Sequence, residues 1–265
     1  MNQTLAFLLG CAAGIALASA GWAFAARRRR SGSAAEDLEG VEGRAQLLSK
    51  IAHELKNPIM SVKGLAATGA RLYGSMSDDE RKEFFQLIDS EAGRLQSIAE
   101  ATSTALKIDA GVIRYDLRAD DVGGLVEEVA WRARVGQHAM VVRAEQELVA
   151  DIDRARLTEV LGHLIENAAK YSPPDAPIEV RAHRSGDGDV VVDVVDRGPG
   201  IPPEQREAVF EKYASWRPAG YEETPGAGLG LFICREHLKA HGGRIDIEDE
   251  EDSGTMLRVT LPAGG

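Results

Sequence analysis

Cysteine is scarce in this chain of 265 residues, and basic residues are outnumbered by acidic ones. Lysine and arginine number 31 against 42 aspartates and glutamates, so the formal net charge is −11. Direct nucleic-acid binding is therefore not expected, because proteins that bind nucleic acid carry a basic footprint. The two cysteines, Cys11 and Cys234, lie in different sequence contexts, so a structural disulfide is not expected either.

Three common motifs are incomplete in the sequence. The pair His53-Glu54 lacks the second histidine of a His-Glu-x-x-His zinc site, because Asn57 holds that position. The glycine-rich stretch from Gly226 to Gly230 lacks a following Gly-Lys-Ser/Thr, and its spacing differs from the dinucleotide-binding fingerprint. A zinc protease, a P-loop NTPase and a Rossmann dehydrogenase are therefore not indicated.

What the sequence does contain is a histidine beside a carboxylate and an amide on a predicted helix. Residues four apart share a helix face, so Asn57 lies one turn after His53, while Glu54 can reach the ring from the side. A carboxylate that holds one ring nitrogen leaves the lone pair of the other free to attack phosphorus. Taken alone, the His-Glu pair is more typical of an ordinary solvated histidine.

Three further motifs follow about a hundred residues downstream. They are Asn167 to Ser172 on a predicted helix, Asp196 to Ile201 after a predicted strand, and Gly226 to Leu231 before a predicted helix. An asparagine oxygen suits Mg²⁺, a lysine meets phosphate charge, and an aspartate accepts from an exocyclic amine. Glycines let the backbone approach closely, and a helix N-terminus binds phosphate. Together these motifs indicate a site for a nucleoside triphosphate and Mg²⁺.

With these motifs in this order, the sequence resembles the sensor histidine kinases of bacterial two-component systems. The ATP-binding domain of that family is of the gyrase, heat-shock-90, histidine-kinase and MutL type. The resemblance covers about residues 42–263. The matching segments are Ile51 to Pro58 (H box), Asn167 to Ser172 (N box), Asp196 to Gly200 (first glycine box), Val209 to Tyr213 (F box) and Gly226 to Leu231 (second glycine box).

The resemblance implies a role for each matching residue. His53 is the expected phosphoacceptor, Glu54 the base for its ring proton, and Asn57 the amide that positions water when the kinase dephosphorylates its partner. Asn167 is the expected Mg²⁺ ligand, and Asp196 the group that binds the adenine amine. The other residues expected to contact ATP are Lys170, Tyr171, Gly198, Gly200, Ile201, Gly226, Gly228, Gly230 and Leu231, and residues 202–225 are the expected lid.

Three positions depart from the family pattern: Ala227, where threonine or serine is common in the second glycine box, and the two positions that keep alternatives open. His163 stands one turn before Asn167, where another asparagine is usual; it is expected to hydrogen-bond a water on the metal, and the alternative is that it weakens catalysis. Ser215 ends the F box where an arginine is common, with Arg217 as a candidate substitute.

The expected function is ATP-dependent autophosphorylation on His53, then transfer of the phosphoryl group to an aspartate of a response regulator, together with phosphatase activity. The alternatives are a nucleotide-binding scaffold and a predominantly phosphatase member with weak or no autokinase activity.

A membrane anchor is expected near the start of the chain. The run from Thr4 to Ala26 is uncharged and mostly apolar, and as a helix it would be roughly 34 Å long, enough to cross a bilayer. The cluster Arg27 to Arg30 follows, and such clusters prefer the cytoplasmic side. A cleaved signal peptide is disfavoured because there is no basic region before the apolar run. We expect a single-pass protein of the inner membrane with its catalytic part in the cytoplasm.

The expected fold class is α+β, in four parts. Residues 1–30 are the transmembrane helix with its basic flank, 31–41 a linker, 42–110 an antiparallel helical hairpin, and 111–265 an α/β sandwich that binds ATP. The hairpin has an open apolar face, so we expect it to dimerise into a four-helix bundle. Expected partners are a second copy, a response-regulator receiver domain and the bilayer. Predicted elements are a capping box at Ser77 to Glu80, helices at 122–135, 154–170 and 229–240, and strands at 178–182, 189–195, 243–248 and 256–261.

Overall fold

The computed structural model divides the chain into two units, Met1–Ser49 and Lys50–Gly265. In the first unit only helical backbone from Ala34 onwards is described. The predicted transmembrane segment, Thr4 to Ala26, lies outside the described residues, and no helix among those described is both long and apolar enough to span a bilayer. The described residues are 34–133, 135–222, 224, 226–249 and 254–263, with side chains from residue 51.

Two long helices, α1 (Ala34–Leu72) and α2 (Asp78–Asp109), form the N-terminal part of the described chain. The predicted capping box at the start of α2 is confirmed. The Ser77 hydroxyl accepts from the N–H of Glu80, and the Glu80 carboxylate accepts from the N–H of Ser77 at 2.7 Å. Because two otherwise unpaired N–H groups are satisfied, the turn gives α2 a defined start.

In the described part of the chain, seven strands follow the hairpin and form two sheets. The main sheet has the order β2-β4-β5-β7-β6, in which β2 is parallel to β4 and the other neighbours are antiparallel; β1 and β3 pair separately. The strands are β1 (Arg118–Asp121), β2 (Met140–Ala144), β3 (Val149–Ile152), β4 (Ile178–Arg184), β5 (Val190–Asp196), β6 (Arg244–Asp249) and β7 (Thr255–Leu261).

Three helices accompany the sheets: α3 (Val122–Arg132), α4 (Arg154–Tyr171) and α5 (Gly230–Ala240). The side chain of Asp153 caps α4 by accepting hydrogen bonds from the N–H groups of Ala155 and Arg156. His241 caps the end of α5, as its sequence position predicts, and its Nε2 accepts the N–H of Asp153 at 2.9 Å. The helices α4 and α5 are therefore linked by a hydrogen bond at one end.

Two short 3₁₀ helices, Pro203–Gln205 and Ala208–Phe210, lie within the predicted lid.

The core lies between the main sheet and these helices. On α4, Leu157, Leu161 and Leu164 recur at helical spacing and are at most 1% exposed. Each such side chain contributes about 2 kcal/mol by leaving water. The predicted core position of Cys234 on α5 is confirmed, since this residue is completely buried.

The sheet also holds a buried charge in its central strand. Asp193 of β5 is 2% exposed, and both its carboxylate oxygens accept from the Arg258 guanidinium of β7, at 2.7 and 3.2 Å. A buried carboxylate is stable only when it is paired and hydrogen-bonded in this way. The ion pair therefore couples the central strand to its neighbour.

The α+β class, with a helical hairpin followed by an α/β layer, agrees with the prediction. The boundaries differ in detail: the helix predicted at 122–135 ends at Arg132, because Ala133 adopts extended backbone angles (φ −63°, ψ 131°). The strand predicted at 178–182 continues to Arg184. The short strands β1, β2 and β3 were not predicted.

Candidate nucleotide-binding site

A cavity of about 780 Å³ lies within the unit Lys50–Gly265, and the N box and both glycine boxes line it. Each residue that the sequence assigns to ATP contact lines this cavity except Gly198. The volume is within the usual range for small-molecule sites. Motifs that are separated by more than fifty residues along the chain therefore converge on one cavity.

Asp196 lies at the end of β5 and is 5% exposed. Burial raises the pKa of this carboxyl, although hydrogen bonds from Gly198 and Thr255 oppose the effect. The N–H of Gly198 donates to Asp196 Oδ1 at 2.7 Å. A Cβ on Gly198 would lie 2.7 Å from the backbone oxygen of Tyr171, so only glycine fits here. Gly198 therefore supports the Asp196 carboxylate through its N–H group and does not itself line the cavity.

The second glycine box contains one position that requires glycine and one that does not. Gly228 has φ +67°, and a Cβ there would lie 2.3 Å from the backbone oxygen of Ala214. For Gly226 the nearest atom to a Cβ would be the Arg217 guanidinium at 3.7 Å, which is ordinary contact. The helix α5 starts directly after this turn, and the preceding Leu229 has no side-chain oxygen to cap it. Its first N–H groups are therefore available to a phosphate.

Three polar residues of α4 line the cavity next to this turn. Lys170 Nζ pairs with Glu166 Oε1 at 2.8 Å, and Asn167 is half-buried. The Nε2 atom of His163 is buried and has no hydrogen-bond partner within the described part of the chain. Burial also lowers the pKa of His163, which favours the neutral ring. An amide oxygen and an unpartnered neutral imidazole in one cavity fit a hydrated Mg²⁺ ion, with Asn167 as the direct ligand.

The predicted lid is attached to the cavity by Arg217. Its guanidinium donates to the backbone oxygens of Trp216 at 2.7 Å and Gly226 at 2.9 Å. Arg217 therefore connects the lid to the second glycine box. The ring of Tyr221, also in the lid, lies 5.7 Å from that of Tyr171. The lid thus contacts two residues that line the cavity, Gly226 and Tyr171.

The H box lies on α1, outside the cavity lining. His53 and Asn57 are exposed, and Glu54 is half-buried. The Glu54 carboxylate lies 3.9 Å from the Arg94 guanidinium of α2, and Arg94 does line the cavity. Of the three H-box residues assigned a role, Glu54 is thus the one with a charge contact to the cavity wall.

A buried polar network joins the hairpin to the α/β layer, and the sequence analysis did not find it. Tyr115 Oη lies 2.8 Å from Nδ1 of the fully buried His237, whose Nε2 lies 3.2 Å from Glu159 Oε2. Burial raises the pKa of Glu159, but hydrogen bonds with His237, Arg156 and the α2 residue Thr104, together with the charge of His237, bring it to about 2. The sequence feature that could have indicated this network is Glu159, a carboxylate that lies one turn before His163 on α4.

Comparison with known proteins assigns this arrangement to a class. Residues 43–111 match the model of the His Kinase A (phospho-acceptor) domain. Residues 152–265 match the model of the histidine kinase-, DNA gyrase B- and HSP90-like ATPase. Together the two matches cover most of the chain and both parts of the fold. The chain belongs to the sensor histidine kinase family of two-component systems.

Relatives and solved structures extend the similarity beyond the separate domains. The histidine protein kinase DivJ of Caulobacter vibrioides is 31% identical over an alignment of 227 residues that covers 83% of this chain and 37% of DivJ. The nitrogen regulation protein NtrY of Azorhizobium caulinodans is 30% identical over an alignment of 234 residues that covers 83% of this chain and 29% of NtrY. The chain thus spans about a third of the length of these relatives. The structure of histidine kinase ThkA with response regulator protein TrrA shares the fold: TM-score 0.58, 24% identity, 84% of this chain and 63% of that one.

Proposed function

We propose that this protein is an ATP-dependent protein histidine kinase that phosphorylates His53 and passes the phosphoryl group to an aspartate of a response regulator. The observation that carries the proposal is the cavity in which the N box and both glycine boxes meet. Its buried Asp196 suits an adenine amine, and the turn at Gly228 with the start of α5 suits phosphates. The family's phosphoacceptor motif lies on the adjoining hairpin.

The proposed transfer is an in-line displacement at the γ-phosphorus of ATP. One ring nitrogen of His53 attacks with its lone pair, and the bond from the γ-phosphorus to the β,γ-bridging oxygen breaks, so that its electrons leave with ADP. The proton on the other ring nitrogen passes to Glu54. Lys170 offsets phosphate charge, and Mg²⁺, held by Asn167 with His163 on a metal-bound water, would supply further positive charge.

A response regulator is the proposed acceptor of the phosphoryl group. Asn57 is the residue proposed to position water when the kinase dephosphorylates this regulator. Asn57 lies one turn from His53 on α1 and is exposed, so a water between its amide and a docked phosphoaspartate is accessible. The complex of ThkA with response regulator protein TrrA, which shares this fold, supports such a partner.

We further propose a homodimer anchored in the inner membrane. Apolar side chains of the hairpin remain exposed in the single chain: Ile59 by 49%, Phe85 by 59% and Leu87 by 50%. Exposed apolar surface of this extent on a helical pair favours a second copy, which gives a four-helix bundle. The anchor rests on the apolar run Thr4 to Ala26 and its arginine flank. Deleting residues 4–26 should move the protein from the alkali-extracted membrane pellet to the supernatant.

The test of the kinase is incubation of the full chain, in mild detergent, with γ-labelled ATP and Mg²⁺. We expect label that is stable in alkali and lost in acid, as a phosphohistidine is. His53→Gln should abolish it while ATP binding is retained, and His183→Gln on β4 is the matched control that should keep it.

The alternatives predict other results. Nucleotide binding without label in any variant would favour the scaffold. Loss of label from a phosphorylated regulator, dependent on Asn57 and faster than its gain, would favour the phosphatase. Label retained in the His53 variant would refute the assignment of the phosphoacceptor.

A further inference from the structure

One face of α2 forms a wall of the nucleotide cavity. The lining residues recur at helical spacing, and most have small side chains, which leaves room in front of the helix. Arg94 is the single charged side chain among them. The lining residues of α2 are Ser90, Gly93, Arg94, Ser97, Ile98 and Ala101.

The ion pairs of Arg94 are long, and its buried Nε donor has no partner among the described residues. Its guanidinium lies 3.9 Å from Glu54 and 4.0 Å from Glu91, beyond the 2.7–2.9 Å of a charge-assisted hydrogen bond. Its Nε is buried without a hydrogen-bond partner among the described residues, and so is Oε2 of Glu91. A buried donor without an acceptor is costly, so this guanidinium is suited to a ligand that enters the cavity.

The other cations that line the cavity already have close partners. Lys170 pairs with Glu166 at 2.8 Å, and Arg132 pairs with Glu128 at 2.7 Å. Arg217 donates to the backbone oxygens of Trp216 in the lid and of Gly226 in the second glycine box. Within the described residues, Arg94 is therefore the lining cation that can turn to a phosphate without breaking a short contact, whereas Lys170 has to leave Glu166 when it offsets phosphate charge.

We propose that Arg94 is a further catalytic residue: it binds the γ-phosphoryl group of ATP, and in doing so it leaves Glu54 free to accept the ring proton of His53. This inference rests on the proposed kinase activity. The guanidinium has a planar set of donors that matches phosphate oxygens, and it would offset the charge that develops on them. It would supply the positive charge that the family pattern places at the end of the F box, where this chain has Ser215.

The release of Glu54 links substrate binding to proton transfer. The guanidinium faces the carboxylates of Glu54 and Glu91. When it turns to the γ-phosphoryl oxygens, Glu54 is available to take the proton from one ring nitrogen of His53 as the other forms its bond to phosphorus. The ADP β-phosphate receives the electron pair of the broken P–O bond.

The test compares Arg94→Ala, Arg94→Lys and the control Arg81→Ala in the full chain. Arg81 is an arginine of the same helix that pairs with Asp78 and does not line the cavity. Labelling from γ-labelled ATP should fall about 100-fold in Arg94→Ala, as when a transition-state charge donor is removed, and remain normal in Arg81→Ala. Arg94→Lys should recover part of the rate. Calorimetric titration should show ATP affinity about tenfold weaker in Arg94→Ala, with ADP affinity changed less than about twofold.

Each contrary result has a distinct meaning. If the wild-type chain is labelled and Arg94→Ala stays within about threefold of it, the inference on Arg94 is wrong and the kinase assignment stands. If Arg94→Ala weakens ADP and ATP equally, the residue supports the fold and the inference is again wrong. If the wild-type chain takes no label, the kinase assignment fails, and the preference for ATP over ADP in Arg94→Ala still decides whether the γ-phosphoryl contact exists.

Discussion

The carboxylate of Glu159 on α4 lies 3.2 Å from Nε2 of His237 on α5, and the His237 ring is completely buried. Tyr115 holds the other ring nitrogen, and Thr104 of α2 also bonds Glu159. The hairpin, the connecting segment and the helices α4 and α5 therefore share one hydrogen-bonded centre. Removing Tyr115 or Glu159 leaves the buried His237 ring with a nitrogen that has lost its partner.

We expect Glu159→Gln to destabilise the α/β layer. The pKa of Glu159 is held at about 2, below the 4.5 of a free glutamate, so the ionised form contributes about 3 kcal/mol of stability at neutral pH. Because the pKa is lowered on folding, this contribution is complete above about pH 4.5 and is lost as the pH falls towards 2. Urea unfolding should show that the free energy of unfolding of the variant is about 2–3 kcal/mol lower than that of the wild type at pH 7. Between pH 4.5 and pH 2, this free energy should fall less steeply in the variant.

The control for Glu159 is Glu236→Gln on α5. Glu236 pairs with Lys239 at 2.7 Å on the helix surface, and such pairs contribute little. A change below about 0.5 kcal/mol is expected there. Equal losses in the two variants would show that the buried network has no special role.

Substitution by alanine should lower ATP affinity at one glycine of the second glycine box and leave it almost unchanged at another. Gly228→Ala places a Cβ 2.3 Å from the backbone oxygen of Ala214 at a left-handed position, so the phosphate turn must move. We expect ATP affinity to fall more than about tenfold, since the backbone N–H groups would lose their alignment. Gly226→Ala meets only ordinary contact and should bind ATP nearly as the wild type does. Similar affinities for the two variants would contradict this account of the turn.

The metal assignment can be tested through binding alone. Asn167→Ala should remove most of the difference in ATP affinity between Mg²⁺ and EDTA, because the direct ligand is lost. His163→Leu keeps the bulk of the side chain, removes the unpartnered nitrogen, and should reduce the Mg²⁺-dependent part about tenfold. Affinity in EDTA should be unchanged for both. An unaltered Mg²⁺ dependence in Asn167→Ala would rule out the proposed ligand.

The sequence predicted those parts of the fold that local rules determine. The capping box of Ser77 and Glu80, the long alternating or continuous apolar strands and the glycine turns each have a short-range cause. The strand β1, Arg118–Asp121, was missed because three charged residues and one alanine carry no alternating apolar pattern, and only pairing with β3 makes them a strand.

Long-range side-chain partners were not predictable in the same way. Glu159 and His237 lie on different helices, and their pairing depends on how α4 and α5 pack. The hydrogen bonds of Arg217 to the backbone oxygens of Trp216 and Gly226 likewise depend on how the lid folds. The wall formed by α2 around Arg94 likewise depends on tertiary packing that no local pattern encodes.

The arrangement of the main sheet has a consequence for synthesis on the ribosome. The valine-rich strand β5 can pair with β4 as soon as both have emerged, because a short turn joins them. Its other edge pairs with β7, which is translated much later, so the nascent chain carries an open apolar edge until then. Because Asp193 places a charge in that strand, we expect it to disfavour pairing with other nascent chains until Arg258 is available to bind it. The same aspartate would then serve the unfinished chain as well as the folded sheet.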